Sequence, residues 1–268
     1  MSYPFLKGHG THNDFVLLPD PDGTVHGDLA VERVRALCDR RGGIGGDGVL
    51  RVVRSGDPAA EWFMDYRNAD GSIAEMCGNG VRVFGRYLVE AGLADGSRPL
   101  PVATRDGIKV LTFAGDEITV DMGTPKVLED TAVSAAGHTW PARHVDMGNP
   151  HAVAFVDTLD DAGDLLTQPA YDTAVYPHGV NVEFVVRRGP GHVAMRVHER
   201  GSGETQSCGT GACAVMVAAA LQDEPGGRRD TPYRVDLPGG TLTITWTADD
   251  RIEMTGPAVI VASGTTDL

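Results

Sequence analysis

The sequence predicts an α+β fold of two pseudo-symmetric, duplicated domains, each made of short β-strands around one central helix. Three observations predict this fold. Similar segments recur in the same order in both halves of the 268-residue chain. Runs that alternate in polarity or are rich in β-branched residues occupy both halves, as strands require. A helical pattern follows each of two Cys-Gly-x-Gly turns, which begin at Cys77 and Cys208.

Four paired segments carry the duplication. Each cysteine turn lies 13 residues after a methionine, and matching stretches flank both turns. The pairs are 13–16 with 149–156, Met64 with Met195, turn 77–80 with turn 208–211, and 118–125 with 252–257. Four matches in one order indicate a repeated unit rather than chance similarity.

The individual elements follow from local patterns. A first helix is predicted at 29–38, and a second after Gly80, where apolar residues share one helical face. The stretch 212–221 is apolar all round, as expected of a core helix. Strands are predicted at 109–113, 182–186 and 241–246.

The domain boundary is placed near 124–129, giving a first domain of 1–124 and a second of 125–257. The final strand, at about 258–268, is a candidate to return to the first domain. Pseudo-twofold packing of the two copies would bring their cysteine turns to one place. We therefore expect the active site in the cleft between the domains.

Composition narrows the class of protein. The formal net charge of −14 and the pI near 4.9 argue against nucleic acid or an anionic membrane as a partner. The chain starts without a signal-peptide pattern, and its longest apolar stretch, 212–221, is too short to span a bilayer. Four cysteines are too few for a disulfide scaffold. We therefore expect a cytoplasmic protein that acts on a small molecule.

The two cysteine turns carry the chemistry. Glycines at the start of a helix let a ligand approach the backbone, and the free N–H groups with the helix dipole stabilise a thiolate. Cys38 and Cys213 lie within apolar helical faces and are expected to be packing residues. Cys77 and Cys208 instead occupy the same turn of a repeated frame, which predicts a functional pair.

Two opposed thiols suit inversion at a carbon atom. One group removes a proton from one face while the other delivers a proton to the opposite face. No pyridoxal phosphate pattern is present, so helix N-terminal amides are expected to stabilise the carbanion. We predict no cofactor and no metal.

Motifs along almost the whole chain resemble the diaminopimelate epimerase family. They are GHGTHNDFV (8–16), NADGS (68–72), MCGNGVR (76–82), GNPH (148–151), NVE (181–183), HERGSGET (198–205) and SCGTG (207–211). The resemblance implies an isomerase that interconverts LL- and meso-2,6-diaminopimelate in lysine and peptidoglycan precursor biosynthesis, without a cofactor. It also implies a curved mixed sheet or barrel wrapped around a helix in each domain, and it suggests a homodimer.

The resemblance assigns roles to individual residues. Cys77 and Cys208 are the two bases, and His151 and Glu199 tune the thiols. The implied substrate-binding residues are Asn13, Asn68, Gly78, Asn79, Asn149, Asn181, Glu199, Arg200, Gly209 and Thr210. Amides that donate and accept, with an arginine for a carboxylate, suit a substrate with two amino-acid ends. Gly48 is a departure, because some members carry glutamine there.

Other interpretations remain open at this stage. A proline or hydroxyproline racemase of the same fold also uses paired cysteines, although Asn79 and Arg200 argue against it. A thiol redox or zinc-binding protein is disfavoured because there is no C-x-x-C pair. A non-catalytic module that binds amino acids would not require both thiols.

Overall fold

The computed structural model describes residues 2–268, which form two compact units. The first runs to Val120 and includes Gly256–Leu268, and the second is Asp121–Thr255. Strands dominate both units, and residues 2–268 contain three α-helices. The predicted α+β class is confirmed. Within the same residues, no helix is long and apolar enough to cross a membrane.

The first unit is a mixed sheet with a central helix. Its elements are β1 (Tyr3–Gly10), β2 (Asn13–Pro19), α1 (Val31–Cys38), β3 (Gly48–Arg54), β4 (Trp62–Asn68), α2 (Gly78–Glu90), β5 (Leu100–Thr104), β6 (Gly107–Ala114), β7 (Glu117–Asp121) and β19 (Val259–Thr266). The strand order is β19-β1-β2-β3-β4-β5-β6-β7. Helix α2 packs against β1 to β5 and β19.

The second unit has the same kind of architecture. Its elements are β8 (Lys126–Val127), β9 (Thr131–Ala135), β10 (His138–Asp146), β11 (Pro150–Phe155), a 3₁₀ helix (Leu159–Ala162), β12 (Ala170–Tyr171), β13 (Asn181–Gly189), β14 (His192–Glu199), β15 (Gly203–Glu204), α3 (Gly209–Asp223), β16 (Pro232–Leu237), β17 (Gly240–Trp246) and β18 (Ile252–Pro257). Its main strand order is β9-β10-β11-β13-β14-β16-β17-β18.

The two sheets repeat one pattern of strand directions. In each unit the successive pairings are antiparallel, antiparallel, parallel, antiparallel, parallel, antiparallel and antiparallel. A parallel pair needs a crossover connection, and α1, α2 and α3 lie in three of the four crossovers. A duplicated unit would produce this pattern.

Helices α2 and α3 form the centres of the two cores. In α2, Val81, Phe84 and Leu88 are fully buried on one face. In α3, every residue from Gly211 to Ala220 is buried, which explains why this helix is apolar on all sides. The predicted strands at 109–113, 182–186 and 241–246 lie within β6, β13 and β17.

The helix boundaries differ slightly from the sequence prediction. Helix α1 begins at Val31 rather than residue 29, because Ala30 has an extended backbone with ψ 141°. Helices α2 and α3 begin earlier than their apolar patterns indicate, since a cysteine side chain caps each one. The two cysteine turns are therefore the first turns of the two core helices.

Candidate active site

Cys77 is the N-cap residue of α2 in the first unit. Its backbone is extended (φ −143°, ψ 121°), and its Sγ accepts a hydrogen bond from the Gly80 N–H at 3.4 Å. An N-cap side chain satisfies one of the amides that the first helical turn leaves without a partner. Cys77 is half-buried, whereas Gly78 and Asn79 are buried. The turn therefore presents a sulfur atom and the positive end of a helix dipole together.

Asn13 is the polar partner of this thiol. The Cys77 thiol donates to Asn13 Oδ1 at 3.5 Å, and Asn79 Nδ2 donates to the same oxygen at 3.3 Å. The other end of the Asn13 amide donates from Nδ2 to Asp47 Oδ2 at 2.7 Å. Because Asp47 accepts from Nδ2, the Asn13 carbonyl oxygen is directed toward Cys77.

A network of charges holds Asp47 and Asp14 in place. Arg40 Nη2 lies 2.6 Å from Asp47 Oδ1 and 2.7 Å from Asp14 Oδ1, and Lys7 pairs with Asp14 at 2.6 Å. Partial burial raises the pKa of Asp14, but hydrogen bonds from Arg40 and Lys7 outweigh it, so the net pKa is well below its usual range. The sequence prediction missed Asp47, although it directly precedes Gly48 in a glycine-rich segment.

A buried arginine supports the same turn. Arg82 has no exposed surface, and its Nη2 donates to Asn79 Oδ1 at 2.8 Å. A Cβ atom on Gly10 would lie 2.9 Å from this guanidinium. Close approach of the β1 backbone to Arg82 therefore requires glycine at position 10.

Asn68 and Gly48 lie opposite each other where β3 pairs with β4. Asn68 Nδ2 donates to Ser72 Oγ at 3.0 Å, so the side chain closes the turn after β4. A Cβ atom at Gly48 would stand 2.5 Å from the backbone oxygen of Arg67. A glutamine at position 48 would therefore require a shift of this backbone.

Cys208 is the N-cap residue of α3 in the second unit. Its backbone is extended (φ −119°, ψ 111°), and its Sγ accepts from the Gly211 N–H at 3.4 Å. Thr210 Oγ1 lies 3.6 Å from the same sulfur. Cys208 is buried, unlike Cys77. The two thiols therefore have the same local backbone role but different exposure.

Burial raises the pKa of the Cys208 thiol well above its ordinary value, and the nearby carboxyl group of Glu199 acts in the same direction. Hydrogen bonds from Thr210 and from the Gly211 N–H oppose this shift without cancelling it. Cys208 therefore keeps its proton at neutral pH. Burial also raises the pKa of Cys38 to about 11, which agrees with the packing role predicted for that thiol.

His151 lies behind this thiol within a buried chain of hydrogen bonds. Its Nδ1 is 2.6 Å from Glu183 Oε1, and its Nε2 is 3.0 Å from Asn149 Oδ1. Asn149 Nδ2 donates to Thr210 Oγ1 at 3.4 Å. The structure therefore groups three of the predicted residues, His151, Asn149 and Thr210, beside Cys208. The sequence analysis assigned no role to Glu183. A carboxylate among four valine and phenylalanine residues of one strand is unusual, and this pattern could have identified Glu183 as a functional residue.

Asn181 begins β13, Glu199 ends β14 and Arg200 directly follows β14. The Asn181 amide bridges two backbone groups: Nδ2 donates to Pro150 O at 3.0 Å, and Oδ1 accepts from the Arg200 N–H at 3.0 Å. Glu199 accepts a hydrogen bond from the Thr205 hydroxyl. Arg200 is exposed, and its Nη1 donates to His178 O at 3.3 Å. Asn181 thus fixes the backbone that presents Glu199 and Arg200.

Comparisons with known proteins identify the family of this chain. The family model described as diaminopimelate epimerase matches residues 5–128 and 143–261. The chain is 60% identical to a diaminopimelate epimerase from Streptomyces coelicolor, over 98% of this chain and 95% of that protein. It is 46% identical to one from Rhodococcus jostii, over 98% of this chain and 96% of that protein.

Solved structures with this fold are more distant in sequence. A Bacillus anthracis protein of the PhzF phenazine biosynthesis family has a TM-score of 0.74 and 18% identity, covering 100% of both chains. An Agrobacterium vitis hydroxyproline epimerase has a TM-score of 0.72 and 17% identity, covering 99% of this chain and 92% of the other. These similarities show the fold alone. The matched family model and the two relatives agree with the motif resemblance, and the chain belongs to the diaminopimelate epimerase family.

Proposed function

We propose that this chain is a diaminopimelate epimerase, which interconverts LL- and meso-2,6-diaminopimelate by a two-base mechanism. The observation that carries the proposal is the pair of cysteine N-caps, one at the start of each core helix, in a chain of this family. Each sulfur accepts from a helix amide and has a polar side-chain partner. The proposal includes a small amino-acid substrate and a cytoplasmic location.

The reaction is an exchange of one proton for another at the α-carbon. One cysteine, as a thiolate, removes the α-proton and becomes a thiol, and the other gives its proton to the opposite face and becomes a thiolate. We assign Cys208 as the residue that carries its proton in the free enzyme, since burial and Glu199 raise its pKa. Cys77, which is half-buried, then supplies the thiolate, formed when the proton that its thiol donates to Asn13 Oδ1 is lost. The reverse direction exchanges these two roles.

The negative charge that develops during the reaction needs stabilisation. The amides at the start of α2 and α3, at Gly78, Asn79, Gly209 and Thr210, suit a carboxylate, because helix N-termini bind anions. Asn13 and Asn149 are held by Asp47 and His151, so little reorganisation is needed in the transition state. Asn68, Asn181, Glu199 and Arg200 are proposed to bind the distal ammonium and carboxylate.

An exchange assay tests the reaction and the substrate together. The purified protein is incubated in deuterium oxide with LL-diaminopimelate or with L-proline, and α-proton loss is followed by NMR. We expect exchange and formation of the meso isomer with diaminopimelate, and neither with proline. Exchange with proline alone would contradict the proposed function and support a racemase of the same fold.

A further inference from the structure

Glu183 is a fully buried acid in the middle of β13. Neither its side chain nor that of His151 has any exposed surface. The Glu183 side chain lies against the start of α3, since a Cβ atom on Gly211 would be 2.8 Å from Glu183 Oε1 and 3.2 Å from Cys208 Sγ. A buried acid is costly unless a partner compensates for the lost hydration. The cost of burying this acid next to the Cys208 turn therefore indicates that Glu183 has a functional role.

The partner of Glu183 is His151, at 2.6 Å between Oε1 and Nδ1. Burial raises the pKa of Glu183, while the neighbouring His151 acts in the opposite direction. A contact this short requires one proton between the two atoms. The proton belongs either to the acid beside a neutral imidazole or to an imidazolium beside a carboxylate, and both descriptions leave the pair with no net charge.

The second ring nitrogen of His151 identifies where its proton lies. Nε2 is 3.0 Å from Asn149 Oδ1, and a carbonyl oxygen can only accept. Nε2 must therefore carry a hydrogen atom. The Asn149 amide then donates from Nδ2 to Thr210 Oγ1, which leaves the Thr210 hydroxyl hydrogen available for Cys208 Sγ at 3.6 Å. Every link in this chain donates toward the sulfur.

We propose that Glu183 is a positioning residue for proton transfer at Cys208: paired with His151, it keeps Nε2 protonated and so directs the Asn149 and Thr210 donors toward the sulfur. This inference rests on the proposed function. Donors directed at the sulfur stabilise the thiolate that Cys208 becomes when its proton goes to the carbanion. Glu183 then acts through hydrogen-bond direction, not through its charge.

Two substitutions of Glu183 separate its effect on hydrogen-bond direction from the effects of its volume and its charge. Glu183→Met keeps a similar volume but offers Nδ1 no hydrogen-bond partner, so the imidazole proton is free to move to Nδ1 and the Asn149 amide is free to turn. Glu183→Gln carries no charge, but its amide N–H can donate to Nδ1 and so retain the hydrogen on Nε2. Glu253→Met is the matched control, since Glu253 is exposed in the same unit.

The first two readouts need no substrate. ¹⁵N-histidine NMR of the ligand-free protein, with the His151 signal assigned by its loss in His151→Gln, should show a fully protonated Nε2 for wild type and Glu183→Gln, and partial loss of the Nε2–H to the Nδ1–H tautomer for Glu183→Met. Alkylation of Cys208 by iodoacetamide, measured at one pH by mass spectrometry, should be severalfold slower in Glu183→Met. If Glu183 acted as a negative charge, removing it would lower the thiol pKa and make alkylation faster, which would overturn the proposal.

The third readout is epimerisation of diaminopimelate. We expect kcat to fall about tenfold in Glu183→Met, as for loss of one aligned hydrogen bond, with Glu183→Gln recovering most of the loss and Glu253→Met unchanged. Equal losses in the Gln and Met variants, with Nε2–H retained in both, would also overturn the proposal. If the wild-type protein left diaminopimelate unchanged, the proposed function would fail, while the NMR and alkylation results would still decide the role of Glu183.

Discussion

Gly211 and Glu183 lie so close together that a methyl group on Gly211 would stand 2.8 Å from the carboxyl oxygen Oε1. Gly211 also supplies the N–H that binds Cys208 Sγ at 3.4 Å. The first turn of α3 is therefore packed directly onto the His151 and Glu183 pair. The corresponding residue of α2, Gly80, has more room, since its nearest neighbours would be 3.4 Å from an added Cβ.

Gly211→Ala should accordingly lower both the stability of the fold and the catalytic activity. The methyl group forces the helix start away from Glu183, and overpacking of this kind costs about 1–3 kcal/mol. We expect a lower Tm and a large loss of kcat, because the Cys208 turn moves. Gly80→Ala is the matched control and should keep or raise the Tm, since alanine favours a helix. Equal thermal unfolding curves for wild type and Gly211→Ala would show that the packing described here is wrong.

The raised pKa of Cys208 predicts a difference in thiol reactivity. A raised pKa keeps the neutral thiol form to higher pH, so the reactive thiolate is scarce near pH 7 and its fraction is still increasing at pH 9 and above. Alkylation of Cys208, followed by peptide mass spectrometry from pH 6 to 10, should keep rising across that range.

Glu199→Gln removes one of the charges that raise this pKa, so Cys208 in this variant should react faster at every pH in the range. A Cys208 alkylation rate that reaches its plateau below pH 8 in the wild type would contradict the assignment of Cys208 as the protonated residue.

Asp47→Asn tests the orientation of Asn13. The carboxylate accepts from Asn13 Nδ2 and the Asp14 N–H with one oxygen and from Arg40 with the other. The amide of an asparagine at position 47 cannot accept from all of these donors. Its NH₂ group would face either the two donors Asn13 Nδ2 and the Asp14 N–H, or the Arg40 guanidinium. We expect kcat/KM to fall about tenfold with little change in Tm. Asp14→Asn removes comparable ion pairs but keeps the Asn13 contact, and it should lower kcat/KM less.

Asp65 should make stability depend on pH in the acidic range. It is buried in the first unit, with Arg51, Arg67 and Arg105 at 3.1, 3.0 and 2.5 Å. Burial raises the pKa of Asp65, but hydrogen bonds from Arg105 and Arg67 outweigh it, so the folded-state pKa is lowered. A lowered pKa contributes stability above the unfolded-state value near pH 4, and this stability is lost as the pH falls through the folded-state value.

Asp65→Asn should therefore destabilise the protein by about 3 kcal/mol at pH 7, because it leaves three partly buried arginines without their carboxylate. The difference from wild type should shrink steadily below pH 4, as Asp65 takes up a proton first in the unfolded state and, at lower pH, in the folded state. Urea unfolding at pH 7 and at pH 3 measures both values. A difference that stays constant between these two pH values would show that the ion pairs do not stabilise the fold.

The sequence predicted the structure best where a feature depends only on a few adjacent residues. The Cys-Gly-x-Gly turns predicted two helix starts, because capping and glycine geometry are properties of a few adjacent residues. Glu183 was missed because its role depends on the approach of β11, which brings His151 within hydrogen-bond distance. Likewise, the need for glycine at position 48 arises from the Arg67 backbone of the neighbouring strand, and no local pattern contains that contact.

The two-base mechanism itself is tested most directly by isotope labelling at low conversion. Wild-type protein is incubated with LL-diaminopimelate in deuterium oxide, and both the product and the recovered substrate are analysed by mass spectrometry. If one thiol removes the α-proton and another delivers a solvent-derived one, the meso product carries deuterium while the recovered LL substrate does not. Either Cys77→Ala or Cys208→Ala should then abolish product formation. Recovered substrate labelled as fast as the product, or substantial turnover by either alanine variant, would contradict the two-base mechanism.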